Sequence, residues 1–115
     1  MRIEVRGRNV EVTDELREAV QKRFGRIGRQ VSDLAMLDVE LREERNPSIA
    51  DRYVAEATIH LKGVTLHASE ASPDMLHSIH EVAEDMRRQV KRHREKRRKR
   101  WQSRRFSSRL RRREA

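Results

Sequence analysis

The charge of this chain is divided so sharply that it limits where a core can form. Of the last 29 residues, Arg87 to Ala115, 16 are Lys or Arg and 2 are acidic, a formal +14. Met1 to Met86 carry 12 basic and 17 acidic side chains, a formal −5. A segment as cationic as the last quarter has no continuous apolar face to bury, so the core must come from what precedes it. The field of such an arm attracts polyanions, and counterion release makes nucleic acid its natural partner. Charge alone would also suit a solubilising tail or an indiscriminate binder of acidic surfaces. Sixteen cations in 29 residues exceed what solubility needs.

A chain of 115 residues makes one small domain with an appendage. Such a domain buries only roughly two thirds of its unfolded surface, which leaves little margin for polar errors inside. The first 86 residues hold enough Ile, Val, Leu, Met and Ala for one modest core. Cysteine is absent, which excludes disulfides and thiolate chemistry. No apolar run approaches the length of a membrane span, and the opening MRIEVRG alternates like a strand instead of resembling a signal peptide. A cytoplasmic protein is expected.

The period of the apolar residues changes along the chain. Ile3 and Val5 alternate within a short strand over Arg2–Arg6, and Gly7, Arg8 and Asn9 read as a turn. Thr13 is a good helix N-cap, with Asp14 and Glu15 placed against the positive helix end. Leu16, Ala19 or Val20, Phe24 and Ile27 then recur every three to four residues as an amphipathic helix that stops near Gly28. Ala35, Leu37, Val39 and Leu41 lie on one face of a half-buried strand. Glu43–Asp51, with Asn46 and Pro47, is a connection. Tyr53, Ala55, Ala57, Ile59 and Leu61 face inward on a third strand, Lys62–Gly63 turns, and Val64, Leu66 and Ala68 return on a fourth.

Ser72 or Asp74 is placed to cap a second helix, with Pro73 early, where its missing N–H does no harm. Met75, Leu76, Ile79, Val82, Ala83, Met86 and Val90 form its apolar stripe. Beyond Val90 the stripe ends while helix formers continue, so the helix should project past the core as a basic spine. The Ser- and Arg-rich segment from Trp101 has no period and is expected to be disordered in isolation. The domain is therefore expected over residues 1–98, with an Arg-rich tail over 99–115. The order strand, helix, three strands, helix is an α+β fold, βαβββα. It predicts a four-stranded mixed sheet with both helices on one face and a right-handed crossover joining parallel first and second strands.

No catalytic constellation stands out, and no enzyme, cofactor or small-molecule substrate is expected. His60 and His67 fall on the outer face of neighbouring strands and would come near one another across the hairpin. Without Cys or a spaced carboxylate they read as polar neighbours, not as a zinc site. His77 and His80 lack a third ligand. The four glycines are dispersed, so no phosphate-cradling loop exists. The outer sheet face, with Glu40, Arg42, Glu56, Thr58, His60, Thr65, His67 and Ser69, lacks the aromatics that stack single-stranded bases. The mode left is recognition of shape and phosphate by basic helices. Arg87, Arg88, Lys91, Arg92, Arg94, Lys96 and Arg97 occupy about three turns, enough to wrap the helix in charge and suit a cleft of folded RNA. On the first helix Lys22, Arg23, Arg26 and Arg29 are either ordinary solvated residues or part of one basic face with that spine.

Several segments resemble a known family in the right order. Ile3-Glu4-Val5-Arg6-Gly7-Arg8-Asn9-Val10-Glu11-Val12-Thr13 with Leu16-Arg17 is similar to the opening of the ribosome hibernation-promoting factor and ribosome-associated inhibitor family. So are Ala55-Glu56-Ala57-Thr58-Ile59-His60-Leu61 with Leu66-His67-Ala68-Ser69, and Asp74-Met75, Ile79, Arg88-Gln89-Val90, Lys91, His93 and Lys96 of the last helix. The resemblance covers about residues 1–98. It implies the same fold, and binding to the 30S subunit and 70S ribosome in the channel for mRNA and tRNA anticodon stems, so that occupancy stops translation in resting cells. It places contacts to 16S rRNA on Lys22, Arg23, Arg26, Arg87, Arg88, Lys91, Arg92, Arg94 and Lys96, with no metal and no membrane. Leu76 and His80 depart from the family's usual aromatic and acid. The arginines after Lys99 fit poorly with the usual endings of short members and leave open whether this is a short member or the N-terminal part of a long one. The alternative is a general structured-RNA or DNA binder without ribosome specificity.

Overall fold

In the computed structural model the backbone is described over residues 1–114 and the side chains over residues 1–99. The elements follow the expected order: β1 (Arg2–Arg8), α1 (Asp14–Gly28), β2 (Met36–Glu43), β3 (Tyr53–Leu61), β4 (Val64–Ser72) and α2 (Met75–Glu114). The sheet order is β1-β2-β3-β4, with β1 parallel to β2 and both later pairings antiparallel. One face of this sheet is apolar because period-two alternation puts Leu37, Val39 and Leu41 beside Ala55, Ala57 and Ile59, all fully buried. Both helices cover that face. Val20, Phe24 and Ile27 from α1 and Ile79, Val82, Ala83, Met86 and Val90 from α2 complete the core.

β1 runs two residues further than the alternation of Ile3 and Val5 suggests, through Gly7 and Arg8. A Cβ at Gly7 would collide with the Val10 carbonyl oxygen, so the chain can double back there only with glycine at that position. The turn falls on Asn9, at φ 58. Lys62–Gly63 makes the expected hairpin turn, with Gly63 at φ +79, a left-handed conformation suited to glycine. α1 starts as expected: Thr13 Oγ1 accepts from the Leu16 N–H at 3.3 Å, with Asp14 and Glu15 in the first turn.

The start of α2 is pinned to the sheet by a buried pair of hydroxyls. Asp74 is the cap, its Oδ2 accepting from the His77 N–H at 3.2 Å, so Pro73 lies just outside the helix and not in its first turn. Ser78, with no exposed surface, donates to the Tyr53 carbonyl oxygen at 2.6 Å. Ser72 Oγ sits 2.7 Å from Ser78 Oγ and donates to the Asp74 carbonyl at 2.6 Å. With Ser78 facing inward, Leu76 turns outward and is 39% exposed, which corrects its assignment to the apolar stripe. Further along, Gln89 Nε2 donates to the His67 carbonyl of edge strand β4 at 2.7 Å, so α2 runs back along β4 from Ser72 towards the hairpin turn.

Among the described residues Val90 is the last that α2 buries in the core. From Lys91 to Lys99 every side chain is exposed except His93, so the basic spine projects as expected. The helix backbone continues to Glu114. The expectation of a disordered tail over 99–115 falls, beyond Lys99, on side chains outside the described residues.

Candidate nucleic-acid interface

α1 and α2 lie side by side on the sheet, and the seam between them is a groove of about 320 Å³. From α1 it is lined by Lys22, Arg23 and Arg26, from the turn after it by Gln30, and from α2 by Ala83, Glu84 and Arg87, over a floor that includes Ile27. Amphipathic spacing explains the arrangement. The turns that bury Val20, Phe24 and Ile27 must show their other faces to solvent, and the basic residues between them emerge beside α2. Arg26 also lies in the last turn of α1, where the helix dipole favours a cation. Four cations thus share one groove with one carboxylate. Glu84 Oε2 accepts from Arg87 Nε at 3.3 Å and Nη2 at 3.2 Å, but both side chains stay about half exposed, so the pair is weak and exchangeable.

The expected basic residues of α2 do not form a single stripe. At about 3.6 residues per turn, Lys91 and Arg94 follow Arg87 on the α1 flank, Arg88 rides the outer crest, and Arg92 and Lys96 fall on the flank towards β4. Arg92 and Lys96 line a second concavity beside the hairpin turn. The charge therefore wraps the helix. Arg88 is not wholly free of protein charge: it lies close enough to Glu70 on β4 to favour that residue's ionised form. Glu70 is nevertheless held above its ordinary carboxylate value, first by burial and then by its hydrogen bond and charge repulsion with Asp85. Arg29, the fourth basic residue expected on this face, is the C-cap just after α1 and does not line the α1–α2 groove.

The opposite face of the sheet differs in kind. Arg42 bonds Glu56 and lies 3.6 Å from Glu44, and Arg6 lies 3.9 Å from Glu40. His60 and His67 are not each other's partners. The register sets His60 opposite Thr65 and Thr58 opposite His67, so His60 Nε2 pairs with Asp38 at 3.2 Å and His67 Nδ1 with Thr58 Oγ1 at 3.0 Å. Among the described residues no cluster of three or more metal-ligating side chains occurs. Tyr53 faces the core and packs against it, as its period requires. Glu84 is the charged groove residue that sequence reasoning missed. Its place three residues before Arg87 on a helix was the available signal.

The fold and this surface define a βαβββα module with one cationic two-helix face and one charge-paired sheet face. Residues 3–98 match the family described as Sigma 54 modulation protein / S30EA ribosomal protein, and the chain belongs to that family. It is 32% identical over 96 residues to the ribosome hibernation promoting factor of Salmonella typhimurium, covering 84% of this chain and 96% of that one. The ribosome hibernation promotion factor of Picosynechococcus is 28% identical over 97 residues, and the match spans only 50% of that longer protein. Among solved structures, the N-terminal domain of Protein Y from Thermus thermophilus superposes with a TM-score of 0.68 at 30% identity, covering 81% of this chain and 99% of that one. A ribosomal subunit interface protein from Coxiella burnetii, 20% identical with a TM-score of 0.70 over 82% of this chain and 98% of that one, shares the fold.

Proposed function

We propose that this protein is a ribosome-binding inhibitor of translation that acts in the cytoplasm of resting cells by occupying the mRNA and tRNA channel of the small subunit. The observation that carries the reading is the convergence of Lys22, Arg23 and Arg26 with Arg87 in one groove, continuous with a helix that carries cations around its circumference. Phosphate recognition needs a rigid display of donors and charge, and helices packed on a sheet supply it. Among the described residues the same surface offers no aromatic platform, which fits folded rRNA better than unpaired bases. Arg88, Lys91, Arg92, Arg94 and Lys96 extend the contact to 16S rRNA. Membership of the family and the ribosome-linked names of its relatives support this assignment. No nucleophile or acid–base pair is required, because occupancy alone blocks the channel.

Co-sedimentation of the purified protein with 30S, 50S and 70S particles through sucrose gradients at two salt concentrations tests this reading. The protein should travel with 30S and 70S particles at about one copy per particle. Sedimentation with 50S alone, or equal retention on any structured RNA, would refute it and favour a general nucleic-acid binder. In this reading residues 1–98 are the ribosome-binding domain and 99–115 an accessory tail. Deleting 101–115 should leave cooperative unfolding intact and weaken binding mainly at low salt, where extra cations count most.

A further inference from the structure

A second concavity, of about 760 Å³, lies on the other flank of α2, between that helix and the β3–β4 hairpin turn. Its charged lining is Lys62 from the turn and Arg92, Lys96 and Arg97 from α2, with the half-buried His93. Its apolar floor is Val64 and Leu66. Among the described residues no carboxylate lines it, in contrast to the α1–α2 groove with Glu84 and to the concavity at the far end of the sheet with Glu43 and Glu44. Four exposed cations around an apolar floor repel one another unless an anion sits among them. Gly63 holds the turn in a left-handed conformation, and Gln89 ties α2 to the β4 edge just before Arg92.

We infer that this concavity is a second binding site for an RNA phosphodiester backbone, separate from the α1–α2 groove, with Lys62 as its outer wall. The inference rests on the ribosome-binding reading and extends it: α2 acts as a ridge between two rRNA strands, one gripped on each flank. A strand in the second site sets its phosphates between Lys62 and the Arg92–Lys96 side of α2. The sugar edges rest on Val64 and Leu66, and His93 adds a ring N–H donor. Recognition is mainly by backbone and shape, because the lining is dominated by lysine and arginine charge and includes no Phe, Tyr or Trp among the described residues.

The chain has no cysteine, so Lys62→Cys and Gln30→Cys each create a unique attachment point for an iron–EDTA source of hydroxyl radicals, one at each groove. With the full-length protein on 30S subunits, the two positions should cleave two different rRNA segments. In parallel, Lys62→Ala should lower the slope of log affinity against log salt by about 0.7 to 0.9, the share of one phosphate contact. Cleavage from position 30 alone with an unchanged slope for Lys62→Ala would overturn the second site and leave the ribosome reading standing. Cleavage of one shared segment from both positions would also overturn it. Failure of the unsubstituted protein to co-sediment with 30S subunits would overturn both.

Discussion

Replacing Arg88, Lys91 and Arg92 together with Ala separates recognition by the helix from attraction by the tail. All three side chains are exposed on α2 and contribute nothing to the core, which α2 closes with Val90. Each substitution should therefore cost less than about 0.5 kcal/mol of stability, and thermal unfolding should barely move. Binding should respond quite differently. If each cation meets one phosphate, removing three lowers the salt slope by about 2.1 to 2.7. Taking 1 M salt as the point where the electrostatic contribution vanishes, that difference is about two to three decades of affinity at 0.1 M, or roughly 3–4 kcal/mol. At 0.3 M it shrinks to little more than about one decade. Equilibrium binding of labelled protein to 30S subunits across that salt range reads both quantities. A tail-driven binder would keep 13 of the 16 cations in Arg87–Ala115 and change little. Wild-type affinity in the triple variant, with loss of binding on deleting 101–115, would refute the placement of α2 in the RNA site.

Three further outcomes follow from particular contacts. Glu84→Gln removes the one carboxylate in the α1–α2 groove and frees Arg87, so 30S affinity should rise and its salt dependence steepen; weaker binding would show that Glu84 orients Arg87 for its phosphate. Ser78→Ala leaves the Tyr53 carbonyl without its donor in a buried site, which should cost about 1–3 kcal/mol by denaturant unfolding, and a neutral result would mean the carbonyl finds another partner. Because Glu70 is held above the ordinary carboxylate value by burial and by Asp85, the folded state binds its proton more tightly than the unfolded chain does. Its contribution to stability is present at low pH and is lost as pH rises through the folded value. Glu70→Gln should therefore unfold at higher temperature than wild type at pH 7, with the gap closing towards pH 4; a gap that widens on acidification would contradict the sign.

The sheet was legible because each strand buries one face, so the alternation of Leu37, Val39 and Leu41 or of Ala55, Ala57 and Ile59 is a direct trace of the pleat. Thr13 and Gly63 were legible for local reasons, a side-chain cap and a left-handed turn. What alternation does not encode is how the chain meets itself. Gly7 reads as a turn residue, but it belongs to β1 because the Val10 carbonyl crosses close to it. Leu76 was read as core and Ser78 went unnoticed. Hydrophobicity ranks Leu above Ser, whereas the hydrogen bond to Tyr53 turns Ser78 inward and thereby rotates Leu76 out. The basic residues of both helices could be found from composition and periodicity alone. Their division into two grooves could not, since it depends on how α2 lies between α1 and the hairpin turn.

Competition on the small subunit tests the central claim most directly. Purified 30S subunits would be loaded with labelled protein at one copy per particle, then challenged with mRNA and initiator tRNA, scoring both ligands on each particle. Occupancy of the channel predicts mutual exclusion, with the protein lost as initiation complexes form and no complex forming while it stays bound. Protein and initiation complex retained together on the same 30S particle would contradict it.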